Sequence, residues 1–482
     1  MGKYIVKRIL LMIPTFFAIS LIVFLVMHAA PGQPGASVQG AGDASQDADK
    51  GAENEAYTLF KQQFNLDKPV LFNTRFALSD ADVLSAVEDS MNLGGEVLPG
   101  RQIEAKEQLT DWAQYAVPGL LKVLTDHPDK TIRSRASKWL SSASKLRLQY
   151  AYTKRPSREQ LASDSDRMKH NLEIKTWTYE ENATESAEAD VLAKWTAYVE
   201  EDVERRWHFT TGSKLSALML DTQFAKYWSN ILHLDFGVSH LYKEDVLSLV
   251  GKKLRYSICL SVATLLIIYL VSVPLGIWSA VNRNSPADRV VTVFLFMLYS
   301  LPSFWVATIL LNFLTKGTPF EILPTGGFSS IDSGDLTTLD YLKDVIWHIT
   351  LPVTCMTYGG LAALSRYART GLLDVIQSDY VRTARAKGLS EAVVIIKHAG
   401  RNGMIPIITL MATLLPALIG GSVVIEYIFQ IPGIGSFMFE SIQARDYNVV
   451  MCILLITSLL TLIGMLLADL LYALVDPRIT FD

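Results

Sequence analysis

The sequence has few of the residues that build metal centres and disulfide frameworks. It holds 3 cysteines in 482 residues, and Cys259, Cys355 and Cys452 lie in separate apolar stretches without the close spacing of a metal site. We interpret them as small core residues. The chain also lacks a basic excess, because its formal net charge is −4, which gives no support for nucleic-acid binding. No phosphate loop of the form G-x-x-x-x-G-K-[ST] occurs, so ATP hydrolysis is not expected in this chain.

Apolar residues are abundant instead. The chain is 50% hydrophobic and its mean hydropathy is +0.24, which is more apolar than a soluble protein of this size needs. The charge is unevenly divided: residues 31–250 carry 25 Lys and Arg against 33 Asp and Glu, whereas the remainder carries 19 against 15. An acidic segment at residues 31–250 is therefore inserted into a membrane protein whose remaining sequence has a basic excess.

Six apolar stretches are long enough to cross a bilayer, whose core of about 30 Å needs about 20 helical residues. They run from Ile9 to Ala30, Ile258 to Val281, Val290 to Leu314, Val345 to Leu364, Met404 to Ile425 and Val449 to Val475. The first also resembles a signal peptide, although its length and Pro14 favour a retained span. The pattern predicts an all-α polytopic membrane protein with six transmembrane helices.

The loop charges predict the orientation of these spans. Residues 365–403 hold seven Lys and Arg against three acids, whereas residues 315–344 hold two against five. Because basic loops remain in the cytoplasm, both termini are expected there. Lys252, Lys253 and Arg255 depart from this rule on the outer side, and we expect them on an amphipathic helix at the membrane surface, with their long side chains reaching water.

Residues 379–403 predict a rigid elbow on the cytoplasmic side. Asp379 to Lys387 are good helix formers, Gly388 interrupts them, and a second helical run follows Ser390, a suitable N-cap. The elbow is rich in Arg and Lys on one side and in Val and Ile on the other, which suits docking into a cleft on a soluble partner. An ordinary basic loop neutralised by lipid phosphates is the other interpretation of the same pattern.

The amino-acid sequence of this segment resembles a motif of a known protein family. The stretch Y-V-R-T-A-R-A-K-G-L, followed by K-H-A-G-R-N, is similar to the EAA loop of binding-protein-dependent ABC importers, in the form used by dipeptide and oligopeptide permeases. Arg382-Thr383-Ala384 stands in place of the acidic-Ala-Ala triplet, and Gly400 in place of a usual leucine. Further resemblances are His28 with Pro31-Gly32, Phe64 to Pro69, Leu234 to Ser239, Glu426 to Phe429 with Pro432 to Gly435, Arg445 to Tyr447, and Asp476-Pro477-Arg478.

The resemblance implies a permease subunit that forms half of a translocation path for peptides or related small solutes in a bacterial inner membrane. It implies a homologous second permease, two cytoplasmic ATPase subunits that hold ATP and magnesium, an extracytoplasmic solute-binding protein and membrane lipid as partners. This chain is then no enzyme and holds no cofactor. The implied ATPase-coupling residues are Tyr380, Arg382, Thr383, Ala384, Arg385, Lys387, Gly388, Ser390, His398, Arg401 and Asn402. The implied outer-loop residues near the binding protein are Glu426, Phe429, Pro432, Gly433, Gly435, Arg445 and Asp446.

The chain departs from the family between Asn73 and Asp221. We divide it into residues 1–30 with the first span, 31–72 as linker and family loop, 73–221 as an insert, 222–257 as the returning loop, and 258–482 with five spans. The insert is expected to be helical and extracytoplasmic, with one hairpin from Ala116 to Leu140 broken at Asp126 to Asp129. That hairpin resembles a HEAT-type unit, but only one clear copy occurs, which favours a generic helical bundle. A long charged helix is expected near Glu185 to Trp207.

Two other functions were weighed against import. A membrane-anchored scaffold or receptor would use the insert as its working part, but it would need only one span. A membrane-embedded enzyme would need polar groups arranged inside the spans, and Asp469 and His28 are isolated along the sequence. The role of the insert stays open between contact with the binding protein or partner permease and a simple covering of the outer face.

Overall fold

The computed structural model describes residues 2–29, 65, 67–91, 98–148, 157–201, 209–239, 241–315, 317, 320–331, 334, 336–403, 407 and 421–475. Several predictions lie outside these residues, namely the linker at 33–56, most of the fifth span and the ending Asp476-Pro477-Arg478. Regular structure among the described residues is helical. The helices, in chain order, are α1 Gly2–Ala29, α2 Asp80–Met91, α3 Pro99–Trp112, α4 Val117–Asp126, α5 Lys130–Ala143, α6 Arg158–Lys175, α7 Glu185–Glu201, α8 Thr211–Leu220, α9 Gln223–Leu232, α10 Val246–Val281, α11 Pro286–Ser300, α12 Ser303–Leu314, α13 Thr338–Ile376, α14 Asp379–Ala386, α15 Glu391–Val393, α16 Gly400–Gly403, α17 Val423–Ile428, α18 Ile434–Gln443 and α19 Tyr447–Val475.

The chain divides into two compact units. The first, which we call the membrane unit, contains Met1–Asp43 and Leu234–Asp482. The second, the insert unit, contains Ala44–His233. The insert expected at 73–221 lies inside the second unit, which takes in part of the adjoining family loop on each side.

Among its described residues, the membrane unit contains three helices long and apolar enough to cross a membrane. They are Tyr4–Ala29 within α1, all of α10, and Tyr447–Leu467 within α19. The fourth predicted span lies inside the longer helix α13. A further span is added if α11 and α12 are counted together, although the two helices meet at 95°. The described residues therefore fit a multi-pass membrane protein, and the count of six stays a prediction.

The bend corrects the prediction of one continuous span from Val290 to Leu314. Leu301 leaves the helical conformation with ψ 127°, and α12 starts again after Pro302. A residue before proline is pushed towards extended backbone because the proline ring crowds its amide and Cβ. The Tyr358 hydroxyl donates a 2.8 Å hydrogen bond to the carbonyl oxygen of Leu301, so the break is stabilised by α13.

Lys252 and Arg255, which we expect on an amphipathic helix at the membrane surface, lie in the first turns of α10, which starts at the Asp245 N-cap and continues into the second predicted span. The prediction that Asp469 is isolated is wrong, because its carboxylate accepts a 3.0 Å hydrogen bond from the Tyr4 hydroxyl and lies 2.9 Å from an Arg8 nitrogen. These polar contacts join the first described helix to the last.

The insert unit has its own hydrophobic core. Val87, Leu109, Leu120, Leu140 and Trp195, contributed by five different helices, are each at most 1% exposed. The expected hairpin is confirmed as α4 and α5, and the Asp129 carboxylate caps α5 by accepting from the amide of Thr131 at 2.8 Å. The expected charged helix is α7, which is described as far as Glu201.

The two ends of the insert meet in a structure that we call the neck, residues 67–75 and 218–224. The amide of Asn73 donates to the Leu218 carbonyl oxygen at 3.0 Å, and the amide of Gln223 donates to that of Pro69 at 2.9 Å. The Asn73 side chain, which is fully buried, donates to the Asp221 carboxylate at 3.1 Å. The Lys68 ammonium is paired with the same carboxylate.

Candidate functional site

The elbow at residues 379–403 consists of helices on either side of a left-handed glycine. Gly388 has φ +77°, a conformation that costs side-chain-bearing residues energy but is free for glycine. Ser390 occupies the N-cap position of α15, and its side chain makes no capping hydrogen bond. Arg385 and Glu391 pair across the bend, with Nη2 and Oε1 2.7 Å apart, and this pairing lowers the pKa of Glu391 and raises that of Arg385. The pair therefore bridges the two helical arms at the surface.

One side of the elbow packs against the spans. Val381 and Ala384 from α14 join Val394, Ile395 and Ala399 in one buried cluster. Leu372 near the end of α13 and Ala280 near the end of α10 complete the same cluster. The apolar side of the elbow is therefore fixed to two membrane helices, and it leaves the cationic side uncovered.

The predicted coupling residues fall on both sides of the elbow. The side chain of Arg382 is 69% exposed, and Tyr380, Thr383 and Lys387 are also exposed. His398 is half-buried, and Ala384 is buried in the cluster, so Ala384 anchors the elbow and offers no surface to a partner. The backbone of Arg401 and Asn402 is helical in α16, and their side chains lie outside the described set.

A π-helical segment at Val394–Ala399 joins α15 to α16 and was not predicted. Such segments widen the helix by one residue per turn and recur at functional sites. The segment contributes three of its six residues to the buried cluster. Its sequence, V-I-I-K-H-A, carries no breaker that would have signalled it.

The predicted outer-loop residues build a cage around the Glu426 carboxylate, which is fully buried. The Ser257 hydroxyl donates to it at 2.7 Å and the Ser436 amide at 3.0 Å. Burial raises the pKa of Glu426, and these hydrogen bonds oppose that rise. A Cβ atom at Gly433 would lie 2.5 Å from the carboxylate, so only glycine fits beside it.

A second buried carboxylate connects two of the motifs that the resemblance rests on. The Ser239 hydroxyl donates to Asp446 Oδ2 at 2.6 Å, and the Leu241 amide donates to it at 3.2 Å. Phe429, Gly435 and Asp446 are buried like Glu426, whereas Pro432 is half-buried and Arg445 is exposed. Most of the predicted outer-loop residues therefore shape the loop internally, and Arg445 is the one with a broad free surface.

Within the described residues, no group of three or more His, Cys, Asp and Glu side chains is placed to hold a metal ion. Some ion pairs of the membrane unit join helices, among them Arg8 with Asp469 and Arg369 with Asp288.

Comparison with known proteins agrees with this arrangement. The family model described as binding-protein-dependent transport system inner membrane component matches residues 272–481. The oligopeptide transport system permease protein AppB of Bacillus subtilis is 37% identical over 260 residues, which cover 54% of this chain and 80% of that protein. The chain belongs to this permease family. The inner membrane ABC transporter permease protein YejB of Escherichia coli O157:H7 is 38% identical over 260 residues, covering 54% and 71%. The dipeptide transport system permease protein DppB of Bacillus subtilis is 33% identical over 258 residues, covering 53% and 78%.

Membership decides between the functions weighed from the sequence. The protein is a permease subunit of an ABC importer, and this finding excludes a scaffold or receptor that uses its spans only as an anchor. It is a multi-pass protein of the inner membrane and a component of a multi-subunit system, not an enzyme. The matched residues contain the elbow and, apart from Ser257, the residues that surround the Glu426 carboxylate.

Proposed function

We propose that this permease forms half of the translocation path of a peptide importer, and that the elbow docks on a cytoplasmic ATPase subunit. The observation that carries the docking proposal is the two-sided elbow, with Val381 and Ile395 buried against the spans while Arg382 and Lys387 face outwards. A partner that closes on the cationic side would push against α13 and α10 through the buried cluster. ATP and magnesium belong to the ATPase subunits in this arrangement.

The proposed substrate class rests on the relatives. Permeases named for oligopeptide and dipeptide transport match this chain at 37% and 33% identity. The remaining proposed partners are a homologous second permease and an extracytoplasmic solute-binding protein. Competition between a labelled tripeptide and unlabelled dipeptides, longer peptides or sugars in whole-cell uptake tests the class. Competition by sugars and not by peptides would contradict it.

Gly388→Val tests the docking proposal. Valine at φ +77° carries a strain of roughly 1–2 kcal/mol, which the elbow can relieve only by changing its angle. We expect the variant complex to reach the membrane and to import at least about fivefold less solute per ATP hydrolysed, the lower end of typical coupling between sites. The assay is uptake and phosphate release measured together in proteoliposomes that contain the complete transporter.

A matched control is available in Gly317. It also has a positive φ, +85°, and, like Gly388, it has no neighbouring atom within 4 Å of an added Cβ. Gly317→Val introduces the same strain away from the elbow and should import normally. Normal import per ATP in Gly388→Val would overturn the docking role.

We further propose that both termini are cytoplasmic and that the insert unit is outside. Glu159 is exposed on α6 and Ser390 is exposed in the elbow, so cysteines introduced at these positions are accessible to reagents on their own side. A membrane-impermeant maleimide added to intact cells with a permeable outer membrane should label Glu159→Cys and spare Ser390→Cys. The opposite pattern would reverse the topology. The parent chain serves as the control for its own three cysteines.

A further inference from the structure

Helix α13 connects the elbow with the bent pair α11 and α12. It is 39 residues long, and only two residues separate its end from the start of α14. The elbow is therefore its direct continuation. Near its end, Leu372 lies in the elbow cluster. Farther from the elbow along α13, Ser272 of α10 donates a hydrogen bond to the carbonyl oxygen of Leu361. A Cβ atom added to Gly276 of α10 would lie 2.4 Å from the Cβ atom of Ala368. Helices α13 and α10 are therefore packed closely above the elbow.

Helix α11 has little such packing. Within α11, which is described throughout, Asp288 is the only buried residue, and Val290, Val293 and Phe294 are more than half exposed. Its position relative to the other helices therefore depends on a few directed contacts. Asp288 provides the first, because its carboxylate accepts from the Ser279 hydroxyl of α10.

Three side chains of α13 make the other contacts, and we name Tyr358, Arg366 and Arg369 the α13 clamp. Arg369 Nη2 donates to Asp288 Oδ2 at 2.8 Å, where the carboxylate is 2% exposed, and its Nη1 reaches the Thr292 hydroxyl at 3.3 Å. The Arg366 guanidinium lies 5.5 Å from the centroid of the Phe296 ring.

The third contact of the clamp fixes the bend itself. Tyr358 donates to the Leu301 carbonyl oxygen, which lies at the 95° break between α11 and α12. Tyr358 and Arg369 are eleven residues apart on α13, close to three full turns, so they lie on nearly the same side of the helix. The clamp therefore holds the start, the middle and the end of α11 from one helix.

We propose that Tyr358, Arg366 and Arg369 are positioning residues that make the bent pair of α11 and α12 follow α13. Movement of the elbow then moves α11 and α12, and with them this part of the solute path. This inference rests on the docking role proposed for the elbow. Removal of one partner from a buried charge pair is costly because it leaves the other charge without compensation, so Arg369 and Asp288 hold each other in place on a helix that has few other contacts.

The test measures import per ATP hydrolysed in proteoliposomes with the complete transporter, for Tyr358→Phe, Arg369→Gln and Arg369→Lys. Tyr358→Phe removes one hydroxyl and keeps the ring, so it preserves packing at the bend. Arg369→Lys keeps the charge beside Asp288 but reaches fewer acceptors than the forked guanidinium. Matched controls are Tyr367→Phe, at an exposed tyrosine of the same helix, and Arg289→Gln, at the exposed arginine that follows Asp288.

We expect import per ATP to fall at least about fivefold in Arg369→Gln, in the range of coupling between sites, and to recover in large part in Arg369→Lys. Tyr358→Phe should show a smaller loss in the same ratio, and the controls none. The ATPase subunits should copurify with every variant, because the exposed side of the elbow is unchanged.

Unchanged import per ATP in both Arg369→Gln and Tyr358→Phe would overturn the clamp. Equal losses in Arg369→Gln and its control Arg289→Gln would also overturn it, because the effect would then be one of charge alone. Gly388→Val measured alongside separates the two proposals. If Gly388→Val is uncoupled while the clamp variants are normal, only the clamp fails; if Gly388→Val is normal, the docking role fails.

Discussion

The neck predicts where the insert can be cut free of the membrane unit. We expect residues 65–233 to fold as a soluble fragment that is more stable than residues 73–221, the range that the sequence alone would choose. The shorter fragment lacks both partners of two backbone hydrogen bonds that close the neck, in which the amides of Gln223 and Phe224 donate to the carbonyl oxygens of Pro69 and Val70. It also removes Lys68 from the Asp221 carboxylate.

The size of the difference follows from these contacts. The two amide bonds, a third bond from the Gln223 side chain to the Lys68 carbonyl oxygen, and a fourth from Arg75 to that of Asp67 are all lost. At about 0.5–1.5 kcal/mol net for each hydrogen bond, the shorter fragment should be less stable by roughly 2–6 kcal/mol. That is a large part of the 5–15 kcal/mol that is common for a whole domain.

The assay is urea denaturation of both fragments, followed by far-ultraviolet circular dichroism and tryptophan fluorescence. Lys68→Gln in the longer fragment isolates the ion pair and should account for only part of the difference. Burial alone would raise the pKa of Asp221, but Lys68 and the Tyr115 hydroxyl lower it below its ordinary value of 3.8. The stability that Asp221 contributes is thus present above its ordinary pKa and lost as the pH falls through the lowered one. Equal stability of the two fragments would refute the reasoning.

Three further predictions concern single side chains. Trp195 is fully buried and its indole nitrogen donates to the Trp177 carbonyl oxygen at 2.8 Å, so Trp195→Ala should cost the fragment about 3–5 kcal/mol in urea denaturation. Burial and the Glu188 carboxylate raise the pKa of Tyr179 to about 12, so the stability of the fragment should fall as the pH rises from the ordinary pKa of 10 to about 12. Tyr179→Phe should remove that part of the alkaline loss, which urea midpoints on either side of pH 10 would measure, and an unchanged loss would contradict the assignment. Asp469→Asn should lower the thermal stability of the detergent-solubilised permease, because it removes the charge beside Arg8 that joins the first helix to the last, and an unchanged melting temperature would count against that contact.

Local signals in the sequence were sufficient to predict the elbow and the insert hairpin. Gly388 followed by Ser390 predicted two short helices, and the structure has α14 and α15 with Gly388 at a positive φ between them. The predicted break at Asp126 to Asp129 likewise separates α4 from α5. Such features depend on residues within one or two helical turns, which a single sequence displays directly.

The hydrogen-bond and ion-pair partners of buried polar groups could not be predicted from the sequence. Ser257, the donor to Glu426, lies 169 residues away, just before the second predicted span, and nothing in the sequence around it indicates this partner. Asp469 looks isolated in the sequence because its partner Arg8 lies near the opposite end of the chain. Long-range contacts of this kind are set by the packing of whole helices. The break at Leu301 did have a signal, Pro302, but proline is tolerated within membrane helices often enough to conceal it.

The closed neck has a consequence for how such a permease could arise and be modified. Because Asn73 and Leu218 are hydrogen-bonded neighbours, the intervening chain leaves and re-enters the neck at adjacent points. A single insertion between these points could therefore have added residues 74–217. A fluorescent or affinity domain whose termini are close together could replace residues 74–217 at this position. Such a fusion would report on the permease in living cells.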